Sequence, residues 1–172
     1  MNINEQLLQK SSRKQAELIR DYIGADPGRF RKLMDLFFIS DPVPAMRASW
    51  AISLCADHHP ELLKPYLGKL IHYLASSENH HPAITRNLSR ALQKSPIPVK
   101  YQGHLMKICF DLILKPETPV ASKVNALSIL ANLSEIYPEI KNELKMIIDT
   151  QWPAEKAAFR TRAKKLKLVL HK

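Results

Sequence analysis

Apolar residues along this chain recur at intervals of three and four, in blocks separated by prolines. After Pro60, the positions Leu62, Leu63, Tyr66, Leu67, Leu70, Ile71 and Leu74 fall on one stripe, the period of an amphipathic helix. After Pro138, Ile140, Leu144, Ile147 and Ile148 do the same. No sustained alternation of apolar and polar residues suggests a strand. Prolines 27, 60, 98 and 138 each stand ahead of such a block, at spacings of 33, 38 and 40. Proline suits the first helical position because the amide it lacks would be unpaired there anyway. "HPELLKPYL" and "YPEIKNEL" therefore read as one motif, 78 residues apart.

A second set of helices begins at prolines 44, 82 and 119. Asp41 precedes Arg47 by six residues, and Glu117 precedes Lys123 by the same six. Arg86 takes the equivalent place in the middle copy, with His80 where the acid would be, and Arg162 follows in the last copy. Behind each cation comes an apolar face: Trp50, Ala51, Leu54 and Cys55; Leu88, Ala91 and Leu92; Ala126, Leu127, Leu130 and Leu133. The acids suit helix starts, where the dipole favours negative charge. The cations are expected to pair with a neighbouring unit's acid, so that Asp41, Arg47, Glu117 and Lys123 form a structural ladder. The predicted layout is a leading helix over 3–23, then pairs 27–39/42–57, 60–76/81–95, 98–115/118–136 and 138–150/153–170.

Two helices per unit, at a period of 37 to 40, mark an α-solenoid, in which each repeat buries its face by stacking on its neighbours. The units resemble HEAT repeats, of the armadillo-type fold, whose second helix is entered through an Asp and carries an Arg six positions on. Through "DYIGADPGRFRKLMDLF", "HPELLKPYLGKLI", "VNALSILANLSEIYPEIKNEL" and "FRTRAKKL", the whole chain resembles a group of short bacterial HEAT-like proteins without an established role. The expected fold is all-α: a right-handed α-α superhelix of about four helix pairs plus an N-terminal helix. It is expected to form a single domain over 1–172. Some sequences of this kind carry the label adenylosuccinate lyase. That superfamily has a serine-rich loop of the form GSSxMPxKxN, which the serine pairs Ser11-Ser12 and Ser76-Ser77 do not match. The chain is also too short for the lyase bundle.

Composition changes this picture little. The chain is 45% hydrophobic and 24% charged, an ordinary balance for a globular protein. Four glycines supply no phosphate-cradling loop, dinucleotide fingerprint or nucleophile elbow. Cys55 and Cys109 lie in apolar stretches and are expected as reduced core thiols of a cytoplasmic protein. The start "MNINEQLLQK" does not read as a secretory signal, and no apolar run is long enough to span a bilayer.

His58-His59 and His80-His81 invite a metal reading. The first pair ends one second-type helix and the other begins the next, about 22 Å away along a fifteen-residue helix, so they cannot meet at one ion. Trp50 and Trp152 bring to mind the base-handling aromatics of HEAT-like alkylpurine DNA glycosylases, without the Asp-Trp-Arg constellation of those enzymes. Neither an enzyme nor a cofactor is expected, and no small-molecule ligand.

Charge is the one surface signal. The net charge is +10; residues 79–116 hold six basic side chains against one acidic, and residues 153–172 seven against one. Arg86, Arg90 and Lys94 share one helix face at i, i+4 and i+8, opposite Leu88 and Leu92. Lys156, Arg160 and Lys164 repeat that spacing opposite Ala157 and Leu168, with Arg162, Lys165 and Lys167 alongside. These stripes are candidate anion- or partner-binding residues. The plainer alternative is the solvated face of a terminal solenoid helix. The expected function is a non-catalytic scaffold for a protein partner; the alternative is non-specific nucleic-acid or ribonucleoprotein binding through the stripes.

Overall fold

A computed structural model describes residues 1–9, 11–76 and 81–170, the last four of these by backbone alone. All regular structure among the described residues is helical: α1 (Ile3–Leu8), α2 (Arg13–Ile23), α3 (Pro27–Ile39), α4 (Pro42–His58), a 3-10 helix (Pro60–Tyr66), α5 (Leu67–Ala75), α6 (Pro82–Leu92), α7 (Val99–Leu114), α8 (Val120–Ser134), α9 (Ile140–Gln151) and α10 (Ala157–Leu170). They fall into two compact units, Met1–Pro96 and Ile97–Lys172.

Proline and short polar side chains set the boundaries. Pro27, Pro42, Pro60 and Pro82 occupy first-turn positions, while Pro98 and Pro119 are the residues just before α7 and α8. Asp26 caps α3, its Oδ1 accepting from the amides of Gly28 at 2.8 Å and Arg29 at 3.0 Å. Those hydrogen bonds, the Arg29 amide's first, hold its carboxyl below the ordinary range. Gly24 ends α2 with φ +53°, a conformation that costs glycine little.

Two predicted helices divide. The leading helix over 3–23 is α1 and α2, because the Ser12 hydroxyl accepts from the Gln15 amide at 3.1 Å and so starts a new helix. The helix over 60–76 opens as a 3-10 turn containing Pro65, which has no amide to donate to an α-helical ladder, and turns α-helical from Leu67. The last helix begins at Ala157 instead of 153, after a turn through Trp152–Glu155.

Each unit is organised around one helix buried on most of its sides. In the first unit α4 packs against α2, α3, α6 and the 3-10 turn. Its buried positions run almost without a break from Ala48 to Ala56, and most are small, which lets neighbouring backbones approach. Ser49 and Ser53 return their hydroxyls to the carbonyls of Met46 and Trp50, at 2.6 and 2.9 Å. In the second unit α8 packs against α7, α9 and α10, burying Ala126, Leu127, Ile129, Leu130 and Leu133. Trp50, expected on a core face, is only half-buried.

The core face of α10 also departs from expectation. Phe159, Ala163 and Leu166 are buried, an i, i+4, i+7 stripe, whereas Ala157 is exposed ahead of it; the Leu168 side chain lies outside the described residues. Phe159 is fully buried, so Phe159→Ala should cost about 3–5 kcal/mol in urea unfolding. Leu114→Ala, at an exposed position, should cost under about 0.5 kcal/mol. Equal losses would show that α10 is not packed through this stripe.

Candidate functional site

Several of the charged residues singled out by spacing turn out to hold the helices together. In the second unit the Lys123 ammonium pairs with the Glu155 carboxylate at the start of α10. Their side chains are 5% and 12% exposed. The pair joins a second-type helix to the acid that leads into the next one. Arg47 differs: its Nη1 donates to the carbonyl of Leu7 at 2.7 Å. The last carbonyls of a helix as short as α1 have no amide within it to accept from, so they offer the guanidinium a partner where no acid is close. The Arg47 Nε is buried without one.

The two acids of the predicted ladder stay outside it. Asp41 is exposed at the start of α4, and its carboxylate accepts no capping hydrogen bond; Pro44, at the third helical position, has removed one of the amides it could have received. Glu117 is exposed in the α7–α8 turn. His80 lies outside the described residues, and the side chain that caps α6 is His81, whose Nδ1 accepts from the Ala83 amide at 3.2 Å.

The α6 stripe is already occupied. Arg90 and Lys94 both reach back to Asp57 on α4, at 2.5 and 2.9 Å, and the Asp57 side chain is 14% exposed. Burial pushes this carboxyl up, but the hydrogen bonds from Lys94 and Arg90, with their charges, outweigh it and leave its pKa below the ordinary 3.8. Beside them Arg86 is exposed and donates to Asn87 Oδ1 at 3.4 Å. The Asn87 amide reaches Ser49 Oγ at 3.0 Å in the buried α4–α6 seam.

The α10 stripe is more open. Arg160 donates from Nε to the Trp152 carbonyl at 3.1 Å and from a terminal nitrogen to the Pro153 carbonyl at 3.0 Å, closing the α9–α10 turn while its charge stays at the surface. Lys156, Lys164 and Lys165 are exposed and Arg162 is half-buried; Lys167 lies beyond the described side chains. A cleft of about 520 Å³ opens beside the stripe, between the α7–α8 and α9–α10 turns. Leu114, Pro116, Val120 and Ala154 are among its walls, with Lys123 and Glu155 also lining it.

Asp57 and Glu155 were not identified by spacing, though a signal existed. Asp57 stands 33 and 37 residues before Arg90 and Lys94, and Glu155 32 after Lys123. Each partner therefore lies about one repeat away.

A HEAT repeat domain family model matches residues 3–167. The chain belongs to the HEAT repeat family. HEAT repeats are generally protein-interaction scaffolds and typically non-catalytic. No curated protein and no solved structure matches the chain. Within this HEAT repeat chain, the described residues contain no group of three or more His, Cys, Asp or Glu placed to hold a metal ion. No described helix is long and apolar enough to cross a membrane. Cys55 and Cys109 are free and buried; burial pushes the Cys55 thiol up to about 12 and Cys109 higher still.

Two outcomes follow for the charged seams. Lys123→Ala strands a nearly buried Glu155 carboxylate and should cost about 3 kcal/mol or more, whereas Lys164→Ala should cost under about 1 kcal/mol, both read from urea unfolding. Asp57→Asn should lower stability by about 1–2 kcal/mol at pH 7. A depressed carboxylate pKa stabilises above the unfolded value, and that contribution disappears as pH falls through the folded one. The gap between wild type and Asp57→Asn should therefore close below about pH 4; a gap unchanged at pH 2.5 would refute the clamp.

Proposed function

We propose that this chain is a non-catalytic binding module of the cytoplasm that presents its second-type helices to a protein partner, working as one HEAT-like domain. The observation that carries this reading is the family match, which runs through both compact units and brings with it a family of interaction scaffolds. A non-catalytic role is supported by how the charged seams are used. The nearly buried Lys123 and Glu155 neutralise each other, and Asp57 is held by two cations. None is left poised as a nucleophile or a proton donor. Ser12, in one of the two serine pairs that do not match the lyase loop, caps α2 through its hydroxyl oxygen. Buried free thiols at Cys55 and Cys109 fit a reducing compartment.

The nucleic-acid reading has one observation in its favour: the exposed lysines 156, 164 and 165 along α10. A few aligned charges without base-reading groups provide only salt-sensitive, sequence-indifferent attraction. Affinity capture from native lysate should retain a protein partner after nuclease treatment. Binding to duplex DNA should be weak at low salt and lost near about 0.15 M. Nuclease release of every captured protein, with duplex binding that persists at that salt, would reverse the order of the two readings.

A further inference from the structure

The groove beside α10 is more specific than a basic stripe. We propose that it is a docking site for an extended peptide segment of a partner, in which an apolar residue is followed by acidic ones. Such a site presupposes the protein-binding reading and names the chemistry of what is bound.

Two hollows adjoin at Glu155. The first is the cleft of about 520 Å³ by the α7–α8 turn, and the second, of about 360 Å³, runs along the first turns of α10. The first has apolar walls, and one of them, Leu114, is 52% exposed, a large apolar side chain facing solvent at the rim. The second is lined by Arg160 and Lys164, and Lys156 stands exposed on the first beside Glu155. Glu155, the acid common to both hollows, is offset by Lys123; Glu117 adds a carboxylate to the first hollow, and the second is left to the cations Arg160 and Lys164. An apolar residue against Leu114 and acidic residues against Lys156, Arg160 and Lys164 complement this sequence of surfaces.

The walls of the first hollow favour a peptide over a nucleic acid, because leucine, proline, valine and alanine offer bases no aromatic face to stack on. The α6 stripe does not compete for the same ligand, because Asp57 already engages Arg90 and Lys94.

The probe is a fluorescein-labelled peptide with one leucine followed by four alternating Asp and Glu residues, titrated by fluorescence anisotropy at low salt. Leu114→Ser and Lys164→Glu should each weaken binding by about tenfold or more, and Lys14→Glu, on the exposed side of α2, by less than about twofold. The same peptide with Asn and Gln in place of its acids should also bind about tenfold less tightly, a comparison that leaves the protein unaltered. A 12-base-pair duplex should bind more weakly than the acidic peptide. Absence of peptide binding, indifference to Leu114→Ser and Lys164→Glu, or equal binding of the amide peptide would each overturn the site. Tighter binding of the duplex would assign the groove to nucleic acid instead. A nuclease-resistant protein partner retained by the Leu114→Ser/Lys164→Glu double variant would remove the groove and leave the protein-binding reading standing.

Discussion

A polar group on a helix enclosed by its neighbours costs stability unless it finds a partner inside the protein. Both units are built under this constraint, since α4 and α8 each lie among at least three other helices. Water is excluded from most of their surfaces, and an unpaired buried charge costs several kcal/mol. Small residues and serines meet the constraint most simply, and the α4 serines bond to their own helix's carbonyls. The longer polar side chains must reach outward. Lys123 meets Glu155, Arg47 meets the Leu7 carbonyl, and Asn87 meets Ser49. These contacts fix which turn of one helix faces which turn of the next, something apolar packing between smooth alanine-rich faces specifies only loosely.

The same demand divides the chain's excess positive charge into two kinds. On α6 the stripe is partly consumed, because Asp57 sits near the C-terminus of α4 within reach of both Arg90 and Lys94. On α10 the acid that could have quenched the stripe, Glu155, is turned inward to Lys123, and Arg160 serves the preceding turn through neutral carbonyls. Its lysines therefore remain at the surface beside a cleft with apolar walls. Two stripes with identical i, i+4, i+8 spacing thus differ in what they offer a partner. The difference arises from where one carboxylate lies about a repeat length away.

The fold was legible from the sequence because its signals are local. A 3.6-residue apolar period, prolines at first-turn positions and a recurrence of 37 to 40 residues are properties of neighbours along the chain, and they predict helices α3, α4 and α7 to within about two residues. Where the reading slipped, a competing local interaction decided: the Ser12 cap divided the first helix, and Pro65 imposed a 3-10 turn. The ladder cations were visible too, since a lone cation ahead of an apolar face stands out in every copy.

The partners of those cations belong to the tertiary structure. Periodicity places Lys123, Arg90 and Lys94 on helix faces, but only the packing of one helix against the next brings Glu155 and Asp57 within reach of them. The Leu7 carbonyl that receives Arg47 is a backbone group with no sequence signature at all. The cleft beside α10 is likewise a product of two turns, distant along the chain, that meet in space. Sequence alone determined that this is a helical repeat with an uneven positive surface; tertiary structure decided which of those charges are spent on holding it together. The reason is physical: the helix period is set by backbone geometry within a few residues, while the fate of a charge depends on what lies within about 4 Å of it.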